Sequence, residues 1–208
     1  MITKQIKTVK DKLLDSVKPY AFGSKQFPTL QELKEIERLI SELEQENPHP
    51  VLKESFGYLE GLWKCLFTSS RYVLDLNKIP LVNLSAVYQQ VYIDQTKNAG
   101  HYLNIAELSR GPMVKMACGE YAAIKPSGSE ANRVEVQYNY FYFAIRLLFA
   151  YEGCGSLISG LENNQLHHSV RLPFHKFGWQ LTIYLDDDLR IVYGNNGGIF
   201  VLIRQSER

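Results

Sequence analysis

Apolar residues recur three and four apart over the first part of this chain and every second residue over most of the rest. The pattern therefore predicts helices followed by strands. Ile2, Ile6, Val9, Leu13 and Val17 form one stripe, with Lys4, Lys7, Lys10 and Lys12 elsewhere on the circumference, which predicts an amphipathic helix ended by Pro19. Two readings of it stand: a helix packed on the domain, or a basic helix resting on an anionic membrane surface. Phe27-Pro28-Thr29 opens a second helix, with Thr29 and Glu32 as a capping box and Leu30, Leu33, Ile36, Ile40 and Leu43 as the inner stripe, until Asn47-Pro48-His49-Pro50 stops it. At Leu59-Glu60-Gly61-Leu62-Trp63-Lys64-Cys65-Leu66-Phe67-Thr68 the period changes to two. Leu59, Gly61, Trp63, Cys65 and Phe67 share one face of a half-buried strand, and Gly61 leaves a gap through which a backbone or long side chain can approach the indole.

The apolar stretch from Tyr72 to Leu84, interrupted by Asp75, Asn77, Lys78 and Pro80, reads as a loop that either plugs something or faces a membrane. Strand-like runs follow at Ala86–Asp94, His101–Leu108, Met113–Ile124 and Arg133–Phe143, separated by Gly- and Pro-containing turns. From Phe141 to Leu161 the alternation is lost, leaving a helix, a bent strand or a lid as readings. It returns in Trp179, Leu181, Ile183 and Leu185, in Leu189, Ile191 and Tyr193, and in Ile199–Arg204, with turns at Asp186-Asp187-Asp188 and Gly194-Asn195-Asn196-Gly197-Gly198. About eight antiparallel strands emerge, the number whose closed barrel holds side chains or one small ligand.

Composition narrows the classes. Of 208 residues, 45% are hydrophobic and 22% charged, enough apolar material for one sizeable core, and the 13 Tyr, 10 Phe and 2 Trp favour strands over a helical bundle. A formal net charge of +1 supplies no field for nucleic acid. Cys65, Cys118 and Cys154 form no Cys-x-x-Cys, which argues against a disulfide framework and a zinc site and for a reducing compartment. The amino terminus lacks the apolar core of a signal peptide, and the longest apolar run, Phe141–Tyr151, contains Arg146 and is too short to span a bilayer.

Several blocks carry a resemblance. Gly61-x-Trp63 at the head of a β-rich region is the mark of lipocalin-like barrels. The whole Leu59–Ser70 block, Val87-Tyr88-Gln89, Asn104-Ile105-Ala106-Glu107, Tyr184–Ile191 and Gly194–Leu202, in this order and spacing, resemble the plastid lipid-associated protein or fibrillin family of plants and cyanobacteria. The resemblance implies a mainly β fold with N-terminal α-helices: a lipocalin-like (calycin-type) antiparallel up-and-down β-barrel of about eight strands over residues 51–208, with a helical region at 1–50 packed on or beside it. It also implies non-enzymatic binding, carriage or sequestration of lipids, quinones or carotenoids, with peripheral contact to a membrane or lipid globule. Tyr193-Gly194-Asn195 departs from the family's usual basic residue, Gly and Asp. The lack of a transit peptide looks cyanobacterial, so the expected location is the cytoplasm or the thylakoid surface of a cyanobacterium-like cell.

Candidate chemistry is sparse. Asp186-Asp187-Asp188 is read as a solvated turn in preference to a metal cluster, since successive turn residues point apart. His167, His168 and His175 lack a carboxylate or cysteine at ligand spacing, and neither a nucleophile elbow nor a phosphate loop occurs. The expectation is no catalytic residue, no metal and no cofactor. Arg190 and Arg204 are the two candidates for laying a cation over Trp63. The tyrosines fill a core or, with apolar neighbours, surround a ligand whose polar end their hydroxyls fix. On that second reading the ligand-binding candidates are Trp63, Tyr88, Tyr102, Tyr121, Tyr138, Tyr140 and Arg190. A competing class is a protein-interaction module with a filled barrel, presenting outer aromatic patches or the Tyr72–Leu84 stretch.

Overall fold

A computed structural model describes residues 4–22, 24, 26–78, 83–110, 114–147 and 169–205. Helix α1 spans Lys4–Val17 and runs into a 3-10 turn at Lys18–Tyr20, whose Pro19 lacks the N–H that a longer helix would need. Helix α2 spans Leu30–Gln45. Its predicted capping box is formed, with Thr29 Oγ1 accepting from the Glu32 N–H and the Glu32 carboxylate accepting from the Thr29 N–H at 2.7 Å.

The strands are β1 Gly61–Thr68, β2 Asn83–Asp94, β3 Ala99–Arg110, β4 Val114–Pro126, β5 Arg133–Leu147, β6 Ser169–Leu185, β7 Leu189–Gly194 and β8 Ile199–Arg204. Each pairs antiparallel with the next and β8 closes back on β1, giving the expected eight-stranded up-and-down barrel. Between β1 and β2 the apolar stretch forms a one-turn helix α3, Arg71–Leu74, and a 3-10 turn, Asp75–Lys78. The expectations for Ile79–Val82, for the end of the Phe141–Leu161 stretch beyond Leu147, and for Cys154, His167 and His168 fall outside the described residues.

Two apolar layers share the β6–β7–β8–β1 wall. Outside it, Leu13 and Val17 of α1 and Ile36, Leu39, Ile40 and Leu43 of α2 pack on Ile183, Tyr184, Leu189, Ile191, Ile199 and Val201. Inside, Trp63, Cys65, Val91, Tyr102, Leu185, Val192 and Leu202 form the lower lumen, sealed from beneath by Leu52, Phe56 and Leu59. The apolar stripe of α1 is thus buried against α2 and the barrel and is not the face that the helix turns outward.

The clamp on α1 is equally unexpected. Lys10, placed on the solvated side by the sequence, is 7% exposed, and its ammonium donates to Asp186 Oδ2 at 2.8 Å and to Asp188 Oδ1. Asp186 is 3% exposed and is no solvated turn residue. It also accepts from Tyr184 Oη and the Leu189 N–H, both at 2.7 Å, and from the Asp188 N–H at 3.0 Å. Burial opposes ionisation of this carboxyl, but hydrogen bonds from Asp188, Lys10 and Tyr184 outweigh it and hold the pKa down at about 2.

Register shifts decide which residues reach the lumen. One between Cys65 and Phe67 turns Phe67 out to the helices, where Tyr20 meets it edge-on at 6.3 Å, so it does not share the Trp63 face. Another between Thr182 and Tyr184 leaves Ile183 and Tyr184 in the outer layer and Leu185 inside, splitting the face expected to hold Ile183 with Leu185.

Candidate functional site

The closed end of the barrel is built around the indole of Trp63, which is fully buried and donates to the Leu59 carbonyl at 2.8 Å. Of the two arginines, Arg204 covers it, with its guanidinium carbon 4.1 Å from the ring centroid. The same guanidinium donates to the carbonyls of Tyr58 at 2.7 Å, Asp187 at 2.6 Å and Glu60, so it ties β8 to the segment before β1. Gly61 makes the approach possible. Its φ of +124° disfavours any side chain, and a Cβ there would stand 2.7 Å from Arg204 Nη1. The gap foreseen beside Trp63 is therefore filled by the arginine.

Arg190 lies inside the lumen, 1% exposed, on the register of β7 that alternates with the helix-covered Leu189 and Ile191. Its Nη1 donates to Gln89 Oε1 at 2.5 Å and its Nη2 to Gln180 Oε1 at 2.9 Å. Both are neutral acceptors. Its Nε is buried with no partner among the described residues, and desolvation, with Arg204 nearby, lowers its pKa to about 10, so it stays charged at neutral pH.

The two glutamines extend the network. Gln89 Nε2 donates to Asn104 Oδ1 at 2.8 Å and Gln180 Nε2 to Tyr102 Oη at 3.3 Å; Tyr102 Oη in turn donates to Tyr138 Oη at 3.1 Å. Burial raises the pKa of both phenols, so both remain protonated donors.

Above this polar layer lies a cavity of about 150 Å³. Gln89, Asn104, Gln180 and Tyr138 line its base. Val87, Phe141, Val192, Phe200 and Leu202 contribute apolar wall, and Val73 and Leu76 of the α3 segment lie over it. The described part of the Tyr72–Leu84 stretch thus turns Val73 and Leu76 to the cavity and leaves Tyr72 exposed. Tyr72, 59% exposed, donates from its hydroxyl to Glu120 Oε1 at 3.0 Å, and Glu120 and Lys176 are the two charged residues among those lining the cavity.

The structure brings Tyr102, Tyr138 and Arg190 together and sets Trp63 one layer beneath them. Tyr88 contributes to the cavity lining although it pairs with Lys64 and Ile105, on the register alternate to Gln89. Tyr121 and Tyr140 pair with each other next to register shifts in β4–β5 and β5–β6, one position away from the Ala122–Tyr138 pair that faces inward. Sequence reasoning missed Gln89, Gln180, Asn104 and Glu120, although Gln89 and Asn104 sit inside the blocks that carry the resemblance.

Comparison with known proteins places this geometry. The profile of the PAP_fibrillin family matches residues 7–203. "Light-induced protein, chloroplastic" of Solanum tuberosum is 23% identical over 97% of the chain and 68% of its own length. Plastoglobulin-1 of Pisum sativum is 24% identical over 98% and 63%, and the chromoplast-specific carotenoid-associated protein of Cucumis sativus 26% identical over 82% and 60%. The chain thus spans 60–68% of the length of these three relatives.

Proposed function

Because the chain belongs to the PAP/fibrillin family, we propose that it binds and carries or sequesters small apolar molecules of the lipid, quinone or carotenoid kind at photosynthetic membranes or lipid globules, without catalysing a reaction on them. The single observation that carries this reading is the cavity over the Gln89–Asn104–Gln180–Tyr138 base, apolar above and polar below. Relatives named plastid lipid-associated, plastoglobulin or carotenoid-associated support the class of ligand. The volume restricts the pose. About 150 Å³ accepts one benzene-sized ring or a head with a few methylenes, whereas drug-sized ligands occupy about 300–1,000 Å³. A long molecule therefore enters by one end, and its tail leaves past Val73 and Leu76.

Peripheral membrane contact on this reading belongs to the mouth of the barrel, where Tyr72 and Leu172 are 59% and 52% exposed, and not to α1. No helix among the described residues is long and apolar enough to cross a membrane. Burial of apolar area at about 25 cal/mol per Å² supplies the affinity.

Extraction of the purified native protein, with mass spectrometry of the extract, is the test, run beside Val87→Phe, which puts a ring into the cavity. An apolar molecule recovered from the parent and lost from Val87→Phe is the expected result. Equal recovery from both places the ligand elsewhere and removes the lumen reading. Vesicle flotation of parent and Tyr72→Asp/Leu172→Asp protein checks the membrane contact; equal flotation removes it.

A second reading, a protein-interaction module, is favoured by Phe177, which is 76% exposed beside a groove of about 780 Å³ that Trp179, His101 and Lys125 also line on the outer wall. Phe177→Asp separates the two: loss of a bound partner with the extracted molecule retained supports the module.

A further inference from the structure

The hydrogen bonds under the cavity all run one way, and the direction of those from Arg190 and the two glutamines is forced. A guanidinium can only donate. Arg190 therefore fixes the carbonyl oxygens of Gln89 and Gln180 toward itself, at 2.5 and 2.9 Å, and turns both NH₂ groups away from it. Each NH₂ carries two hydrogens; one from Gln89 goes to Asn104 and one from Gln180 to Tyr102. Tyr102, having accepted, donates to Tyr138, a residue of the cavity lining. The base of the cavity is thus a set of donors polarised from below by a buried cation.

That cation is poorly compensated. Its two hydrogen-bond partners among the described residues are neutral amides, its Nε has none among them, and Arg204 adds like charge nearby. Glu120, the acid among the lining residues, accepts from the Tyr72 hydroxyl and also raises the pKa of Tyr102 and Tyr138, with Lys176 in the same lining. Burying an arginine that only amides satisfy is costly. An oxygen-bearing ligand head set on the donor layer would lower that cost.

We propose that the Gln89–Gln180 base of the cavity is an acceptor-oxygen site, oriented by Arg190, which selects from apolar molecules those ending in a carboxylate or a quinone-type carbonyl and discriminates against bare hydrocarbon. This rests on the lumen-binding reading above and specifies the ligand's head. Arg190 is the positioning residue; Gln89 and Gln180 touch the ligand through their second amide hydrogens.

The test is displacement of a lumen-bound fluorescent apolar dye by ligands of similar tail and different head: dodecanoate, methyl dodecanoate, a decyl-substituted benzoquinone and dodecane. The oxygen-bearing heads are expected to displace the dye at concentrations about tenfold to a hundredfold below dodecane, the worth of hydrogen bonds to charge-polarised donors. The order of dodecanoate against the ester and the quinone tells whether the source is an acid or a neutral carbonyl. In Arg190→Gln, and independently in Gln180→Leu, which removes an amide without removing the buried cation, the preference is expected to collapse to about threefold or less while dodecane itself is unaffected. That head-group ratio is a readout that a general loosening of the barrel would not move. Dodecane equal to dodecanoate and quinone in the parent overturns the acceptor-oxygen site and leaves lumen binding standing, as does a ratio unchanged in Gln180→Leu. No displacement by any of the four overturns both.

Discussion

Replacing Lys10 with methionine is expected to cost about 3 kcal/mol and to flatten the acid limb of the stability curve. The side chain keeps its length and apolar contacts but loses the ammonium that meets Asp186 and Asp188. Removing one partner of a buried pair costs about 3–5 kcal/mol. The low end applies because Asp186 retains Tyr184 Oη and two backbone N–H groups, and because Asp188, with its side chain 70% exposed, is screened by water. The depressed pKa of Asp186 gives a comparable figure. Asp186 has its pKa lowered from 3.8 to about 2, and each unit is about 1.36 kcal/mol, so ionised Asp186 contributes about 2 kcal/mol. The folded-state pKa is the depressed one, so this stability is present above pH 3.8 and is lost as pH falls from 3.8 towards 2. Urea denaturation of parent and Lys10→Met between pH 7 and pH 2 measures both effects. Asp186→Asn in the Lys10→Met background should recover part of the loss by discharging the stranded carboxylate. A loss under about 1 kcal/mol at pH 7, or an unchanged acid limb, would refute the reasoning and leave α1 held by its apolar stripe alone.

Trp63→Ala is expected to destabilise by about 3–5 kcal/mol through lost transfer and the cavity left under Arg204; a variant that melts like the parent would mean the indole is not the barrel floor. Gly61→Ala should cost about 1–3 kcal/mol, from its φ of +124° and from Cβ meeting Arg204 Nη1 at 2.7 Å. In the Arg204→Ala background part of that cost should vanish, and denaturation midpoints of the four combinations show whether it does.

Helices α1 and α2 and seven of the strands could be placed from periodicity because each has at least one face of uniform polarity. The first half of β6 could not. Leu172, Pro173, His175, Lys176 and Phe177 show no alternation, and Pro173 is tolerated because it pairs with Tyr140 beside a register shift. Shifts of this kind limited the reading elsewhere too. Phe67 and Tyr184 are apolar or aromatic whichever way they face, and α1 and α2 bury the outer side of the same wall, so a one-residue insertion changes the face without changing the pattern.

The candidate site was hidden by the same double burial. Leu189, Ile191 and Tyr193 form the apolar side of β7, and on a strand with one wet face they would point into the barrel. Here they meet the helices, and the lumen receives Arg190 and Val192. An arginine on the polar side of a short strand carries no sign that it is buried, and Gln89 and Gln180 carry no charge to draw attention. Only closure of the barrel sets β2, β6 and β7 around one guanidinium, linking residues 101 positions apart. Tyr102 and Tyr138 were legible as a surplus of phenols on strands. Their place in a network was not, because that network starts from Arg190, one of the two arginines that sequence offered for the place over Trp63, and structure sets it one layer higher.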